Sequence, residues 1–125
     1  MDGLDGQAFS IHDGREGAPQ AFRELFFQYY PEFFSFARSL LGDKAVARNN
    51  TTNAFFLLWK KRAHFDSDRD GKAFLYNTIR NSCLNYLTYL QNNPDATENP
   101  PEITMHEDFP SNILQELQSY VARVT

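Results

Sequence analysis

From residue 17 onward the apolar positions fall at helical spacing, and nowhere do they alternate as in a strand. Ala21, Phe22, Leu25, Phe26, Tyr29 and Tyr30 recur at three- and four-residue steps. Pro19 stands where a first helical turn tolerates a missing N–H. Pro31 predicts a break or restart, because a helix interior uses the N–H that proline lacks. Phe33, Phe34, Phe36, Ala37, Leu40 and Leu41 form a second apolar face, and Gly42 predicts its stop. Asp43 predicts the cap of a further helix. That helix opens polar, from Arg48 to Asn53, and turns apolar from Ala54 to Trp59 before Lys60, Lys61 and Arg62. His64 to Gly71 reads as a loop. Lys72 to about Gln91 is helical again, on Phe74, Leu75, Ile79, Cys83, Leu84, Leu87 and Leu90. A short last helix is predicted over about Ser111 to Val124, on Ile113, Leu114, Leu117 and Val121. The pattern predicts an all-α fold, a compact bundle of about four to five helices. Residues 1–16 read as a flexible N-terminus, 17–91 as the helical domain, 92–108 as a proline-bearing linker and 109–125 as a helix beyond it.

Composition supports one domain: 125 residues with 12 Phe, 6 Tyr and 1 Trp to fill a core. The single Cys83 excludes an internal disulfide and fits a reducing compartment. No apolar run approaches a membrane span, and the acidic, Gly-rich start lacks the form of a secretory signal. These features predict a cytoplasmic protein without membrane insertion. The net charge of −4 conceals a strong asymmetry. Met1 to Asp43 carries −4, Lys44 to Leu90 carries +5, and Gln91 to Thr125 carries −5. A basic island between acidic flanks is the electrostatic pattern of a nucleic-acid face.

Candidate chemistry is sparse. Asp66-Ser67-Asp68-Arg69-Asp70-Gly71 matches the first half of a calcium loop, but the twelfth position is Asn77, which cannot supply a bidentate carboxylate. His12, His64 and His106 are scattered without metal-ligand spacing, and Cys83 sits in an apolar stripe. No nucleophile–base pair or phosphate loop stands out, so no catalytic, metal or cofactor site is predicted. Aromatic and basic residues interleave instead. Lys60, Lys61, Arg62, His64, Phe65, Arg69, Lys72, Phe74, Tyr76, Arg80, Asn81, Asn85, Tyr86 and Tyr89 fit two readings. One is a single-stranded DNA face, with cations for phosphates, rings for unstacked bases and amides for base edges. The other is a bundle with its rings in the core and its charges in water.

The order of these residues resembles region 2 of bacterial RNA polymerase sigma factors of the extracytoplasmic-function group, in the style common in Bacteroidetes. The resemblance lies in Ala21-Phe22, Leu25, Tyr29-Tyr30-Pro31 and Phe36-Ala37, then Phe55, Leu58 and Trp59, then Phe65-Asp66. It continues through Ala73-Phe74-Leu75-Tyr76, Arg80-Asn81 and Leu84-Asn85-Tyr86-Leu87. It implies a domain that docks on the clamp helices of the polymerase largest subunit and captures flipped bases of the −10 promoter element. By position it implies polymerase contacts at Arg48, Asn49, Thr52, Asn53, Phe56 and Lys60. It implies DNA contacts at Phe65, Lys72, Asn77, Arg80, Asn81 and Asn85, with His64 to Gly71 as the base-capture loop. An anti-sigma factor is an implied further partner.

Three departures accompany the resemblance. The acidic pair of the docking helix is replaced by Arg48 and Asn49, and a later acid by Asn53, which removes charge-assisted bonds to basic partner residues. An apolar pair beside it has become Asn50 and Thr51, and the basic residues after the Leu-Asn-Tyr-Leu run are Thr88, Tyr89 and Leu90. The chain stops before a region 4 helix-turn-helix, so truncation ahead of that region is expected. Two alternatives follow. One is a degenerate sigma-like module that binds protein through an exposed Phe56 and Leu57 without binding promoter DNA. The other is a helical calcium-binding protein.

Overall fold

The computed structural model describes residues 18–65, 67–95 and 109–125. Four helices follow in order: α1 (Ala18–Leu41), α2 (Lys44–Lys60), α3 (Asp68–Asn92) and α4 (Ser111–Val124), with one 3-10 turn at Arg62–His64. The described residues contain no strand, and the fold is all-α. The expected N-terminal tail of residues 1–16 and most of the expected linker fall outside the described residues, as do Asp66, His12 and His106.

Local chemistry sets most boundaries. Gly42 takes φ +79°, a conformation cheap only for glycine, and its N–H closes α1 on the Arg38 carbonyl at 2.8 Å. Asp43 caps α2, its Oδ1 accepting from the Val46 N–H at 3.0 Å. Ser67 caps α3, accepting from the Asp70 N–H at 3.3 Å. α3 therefore starts at Asp68, four residues before the predicted Lys72, and Asp70 lies in the first turn, where a negative charge suits the helix dipole.

The predicted break at Pro31 does not occur; α1 runs unbroken through it. Two features outweigh the missing donor. Phe22, Phe26 and Tyr30 before the proline, and Phe33, Phe34 and Ala37 after it, bury one continuous face. The carbonyl that Pro31 leaves without its helical partner is that of Phe27, four residues earlier. It accepts the Tyr120 hydroxyl of α4 at 3.0 Å. A side chain 93 positions away in sequence takes over the bond that the helix lacks.

The core forms where α1, α2 and α4 meet. The Phe22 ring lies 5.9 Å from Phe26, 5.7 Å from Phe56, 5.4 Å from Trp59 and 5.6 Å from Phe109. Such pairs contribute about 0.5–1.5 kcal/mol each beyond the area they bury. α3 adds Leu75, Ile79 and Cys83 from its inner stripe. α4 adds Ile113, Leu117 and Val121, one stripe at helical spacing. Sequence patterning placed α4 beyond the bundle, yet it packs on α1 and shares the same core.

The Pro31–Tyr120 relation predicts non-additivity. Tyr120→Phe should cost about 1 kcal/mol in urea unfolding, the usual net value of such a bond. In a Pro31→Ala background the cost should fall below half of that, because the backbone N–H restored at position 31 then serves the Phe27 carbonyl. Equal costs in both backgrounds would dissociate the two residues.

Candidate functional site

The six α2 residues expected to meet polymerase divide into two rows. Arg48, Thr52 and Phe56 are spaced by four, and the chain's own helices close over them. Thr52 and Phe56 are each only 5% exposed, and Arg48 is half-buried. Phe56 packs against Phe22 and Phe26 of α1 and, at 5.8 Å, against Phe109 just before α4. The expected exposed Phe56 patch is therefore absent: Phe56 is core, because Phe109 covers it. Thr52 shares a 2.8 Å hydrogen bond with the Tyr30 hydroxyl, which donates to the Arg48 carbonyl at 3.1 Å. The second row remains accessible, with Asn49 and Asn53 half-buried and Lys60 exposed.

The polar residues beside these rows are inside the fold. Asn50 is buried and donates to the Val46 carbonyl at 3.0 Å, and it accepts from the Ser82 hydroxyl of α3. Buried Thr51 donates to the Ala47 carbonyl at 2.8 Å. An amide and a hydroxyl thus replace apolar contacts without losing their hydrogen bonds, as burial requires.

The expected DNA-facing residues gather on α3 and at its approach. Asn77, Asn81 and Asn85 are spaced by four and all exposed, so they form one row of amides. Arg80 is exposed beside them. Lys72 is half-buried, its Nζ 4.6 Å from the centre of the Tyr29 ring, a cation–π placement that orients the ammonium. Phe65 is half-buried against Phe74 at 5.0 Å. The predicted loop is shorter than His64 to Gly71, since His64 ends a 3-10 turn and α3 has begun by Asp68. Asp68 and Asp70 of the calcium-loop match fall in the first turn of α3.

A groove of about 420 Å³ runs between α1 and α3, lined by Glu32, Phe33, Arg69, Lys72, Ala73 and Tyr76. Tyr76 is 47% exposed and stacks on Phe36 at 4.8 Å. The site assignment by resemblance omitted Tyr76 and Arg69. The spacing of Lys72, Tyr76 and Arg80, four residues apart, was the available signal. From Gly71 to Pro94 there is no acidic residue, so α3 itself carries only positive charge over this stretch, while Glu32 of α1 supplies a carboxylate on the groove wall.

The model of sigma-70 region 2 matches residues 25–92, more than half of the chain. The chain belongs to the sigma-70 region 2 family. No curated protein and no solved structure gives a significant match. Region 2 is a domain of transcription initiation factors that binds core RNA polymerase and promoter −10 DNA, and it is not an enzyme family. This region 2 places its amide row in the open and half of its candidate polymerase row beneath α4. Among its described residues no helix is long and apolar enough to cross a membrane.

Two buried groups titrate far from their usual range. Burial pushes the Cys83 thiol up to about 11, consistent with its place in the α3 inner stripe. Burial likewise pushes Tyr30 up from 10.0 to about 12, partly opposed by its bond to Thr52 and by Arg48. A raised phenol favours the neutral, folded form. Its contribution is present below pH 10 and is lost as pH rises from 10 towards 12. Tyr30→Phe should cost roughly 1–2 kcal/mol at neutral pH, since Thr52 and the Arg48 carbonyl lose their partner. The gap between variant and parent should narrow through pH 10 to 12, by roughly 2 kcal/mol if the full shift acts. Urea midpoints across that range measure it, and a constant gap would show that Tyr30 does not ionise with unfolding.

Proposed function

We propose that this chain is region 2 of an extracytoplasmic-function sigma factor, of the kind common in Bacteroidetes. In this reading α2 meets the clamp helices of the polymerase through Arg48, Asn49, Thr52, Asn53, Phe56 and Lys60. The α3 face holds the opened non-template strand of the −10 element through Phe65, Lys72, Asn77, Arg80, Asn81 and Asn85. Such a factor acts in the cytoplasm, and an anti-sigma protein is the natural antagonist of its α2 face.

The observation that carries the DNA half is the open amide row with Arg80 beside it on an acid-free helix face. Amides donate and accept at base edges, and a guanidinium holds phosphate. Flipped bases lose stacking worth a few kcal/mol, and the exposed Tyr76 ring lining the groove offers a replacement surface. Polymerase docking rests on the family and on the accessible row of Asn49, Asn53 and Lys60.

A second reading, a sigma-like module that binds protein only, is favoured by one feature. Positions 48, 49 and 53 carry Arg, Asn and Asn where the resemblance calls for acids, so charge-assisted bonds to a basic clamp are lost.

Anisotropy of a labelled single strand with a randomised −10 segment separates the two readings. Arg80→Ala should weaken binding and lower the salt slope by about 0.7, the value for one phosphate contact on a single strand. Asn81→Ala should weaken binding with the slope unchanged. Affinity unaffected by either substitution would remove the α3 assignment and leave the protein-binding module.

A further inference from the structure

α4 lies over the α2 row that the proposed function assigns to polymerase. A cleft of about 110 Å³ separates them, lined by Arg48, Thr52 and Phe56 of α2, Phe26 of α1, and Leu117, Gln118 and Val121 of α4. α4 therefore spans the row without filling the space above it. Phe109 completes the closure by packing on Phe56, Trp59 and Phe22. No macromolecular partner reaches Thr52 or Phe56 while α4 is seated.

The attachment of α4 has the features of a reversible contact. It is a 14-residue helix, a length that is marginal alone and depends on packing. The apolar stripe of Ile113, Leu117 and Val121 holds it, with Tyr120 against the Phe26 and Phe27 rings and with Phe109 ahead of it. Its ion pair, Glu116 with Arg23 at 3.0 Å, lies at the surface, where such pairs contribute little. Its buried-side polar contact, Tyr120 to the Phe27 carbonyl, is a single neutral hydrogen bond with a net worth of about 1 kcal/mol. The α1–α2–α3 core beneath it keeps Phe55, Leu58, Leu75, Ile79 and Cys83 packed without it.

We infer that α4 is an intramolecular competitor of core polymerase: seated, it masks Arg48, Thr52 and Phe56, and docking requires it to leave. The inference rests on the polymerase reading of α2. Because the competitor is tethered, its local concentration is high and constant. The apparent affinity for polymerase is then the intrinsic affinity scaled by the fraction of chains with α4 unseated. Any factor that shifts that fraction, such as a helix that binds the α4 stripe, sets the activity of the domain.

The test compares binding of labelled full chain to core polymerase across four proteins. Leu117→Ser and, more mildly, Glu116→Arg loosen α4, the second by placing two arginines together. A clamped form carries Arg23→Cys and Glu116→Cys joined by a cleavable thiol-reactive linker; buried Cys83 stays out of the reaction. Circular dichroism confirms that the α1–α3 helices persist. The loosened forms should bind at least tenfold tighter than the parent. The clamped form should not bind until the linker is cut. Equal binding by parent, loosened and clamped forms would overturn the competition while leaving polymerase docking intact. Binding by none of them, the cut form included, would remove the docking itself and the inference with it.

Discussion

The Phe22 ring is the point on which three helices agree. It touches Phe26 one turn along its own helix, Phe56 and Trp59 on α2, and Phe109 at the approach to α4. Edge and tilted contacts of this kind fix ring orientation as well as distance, so they set how far α2 is rotated about its axis. That rotation decides which α2 residues face inward. With Phe56 directed at Phe22, Thr52 and Arg48 follow one and two turns earlier on the same side. Tyr30 closes the other end of the seam by bonding to both of them. The aromatic cluster and the tyrosine bond are two ends of one alignment, and the candidate polymerase row lies along it.

A second constraint comes from polar groups that cannot be left unpaired. α2 carries Asn50, Thr51 and Thr52 in succession, all buried. Two of them bond back to carbonyls of α2 itself, which satisfies them without recruiting a neighbour. The remaining Asn50 oxygen takes the Ser82 hydroxyl, which ties α2 to α3 by a directional bond where apolar packing alone would allow sliding. Together with the packing of Leu75, Ile79 and Cys83 in the shared core, this bond sets the register of α3 against α2, one residue from Asn81.

Much of the fold was legible because helix signals are local. Gly42, Asp43 and the Ile113, Leu117 and Val121 stripe each act through their own neighbours, and α4 lies at Ser111–Val124 as its spacing required. Pro31 was misread because its compensation is not local: the Tyr120 hydroxyl comes from the far end of the chain. Ser67 caps α3 four residues ahead of the start that apolar periodicity predicts, because the first turn of the helix carries no apolar residue to mark it. At the candidate site, the α3 residues came from the resemblance, and the four-residue spacing of Asn77, Asn81 and Asn85 agrees with the exposed row they form. The burial of Phe56 was not legible in this way. An apolar residue at a position expected to be outward reads as an exposed patch, and only tertiary packing reveals that Phe109 covers it.

The same residue explains why this α2 differs from a simple loss of docking chemistry. Replacing acids by Arg48, Asn49 and Asn53 lowers the charge attraction available to a basic partner. Beneath α4 the helix presents Phe56, which packs on Phe109, while buried Asn50 and Thr51 donate back to carbonyls within α2. Asn49 and Asn53 stay on the accessible row, outside that seat. On α3 the departure lies at Thr88, Tyr89 and Leu90, beyond the amide row. The amides of that row remain exposed, Arg80 has no acid beside it, and the contacts that seat α4 fall on α1 and α2.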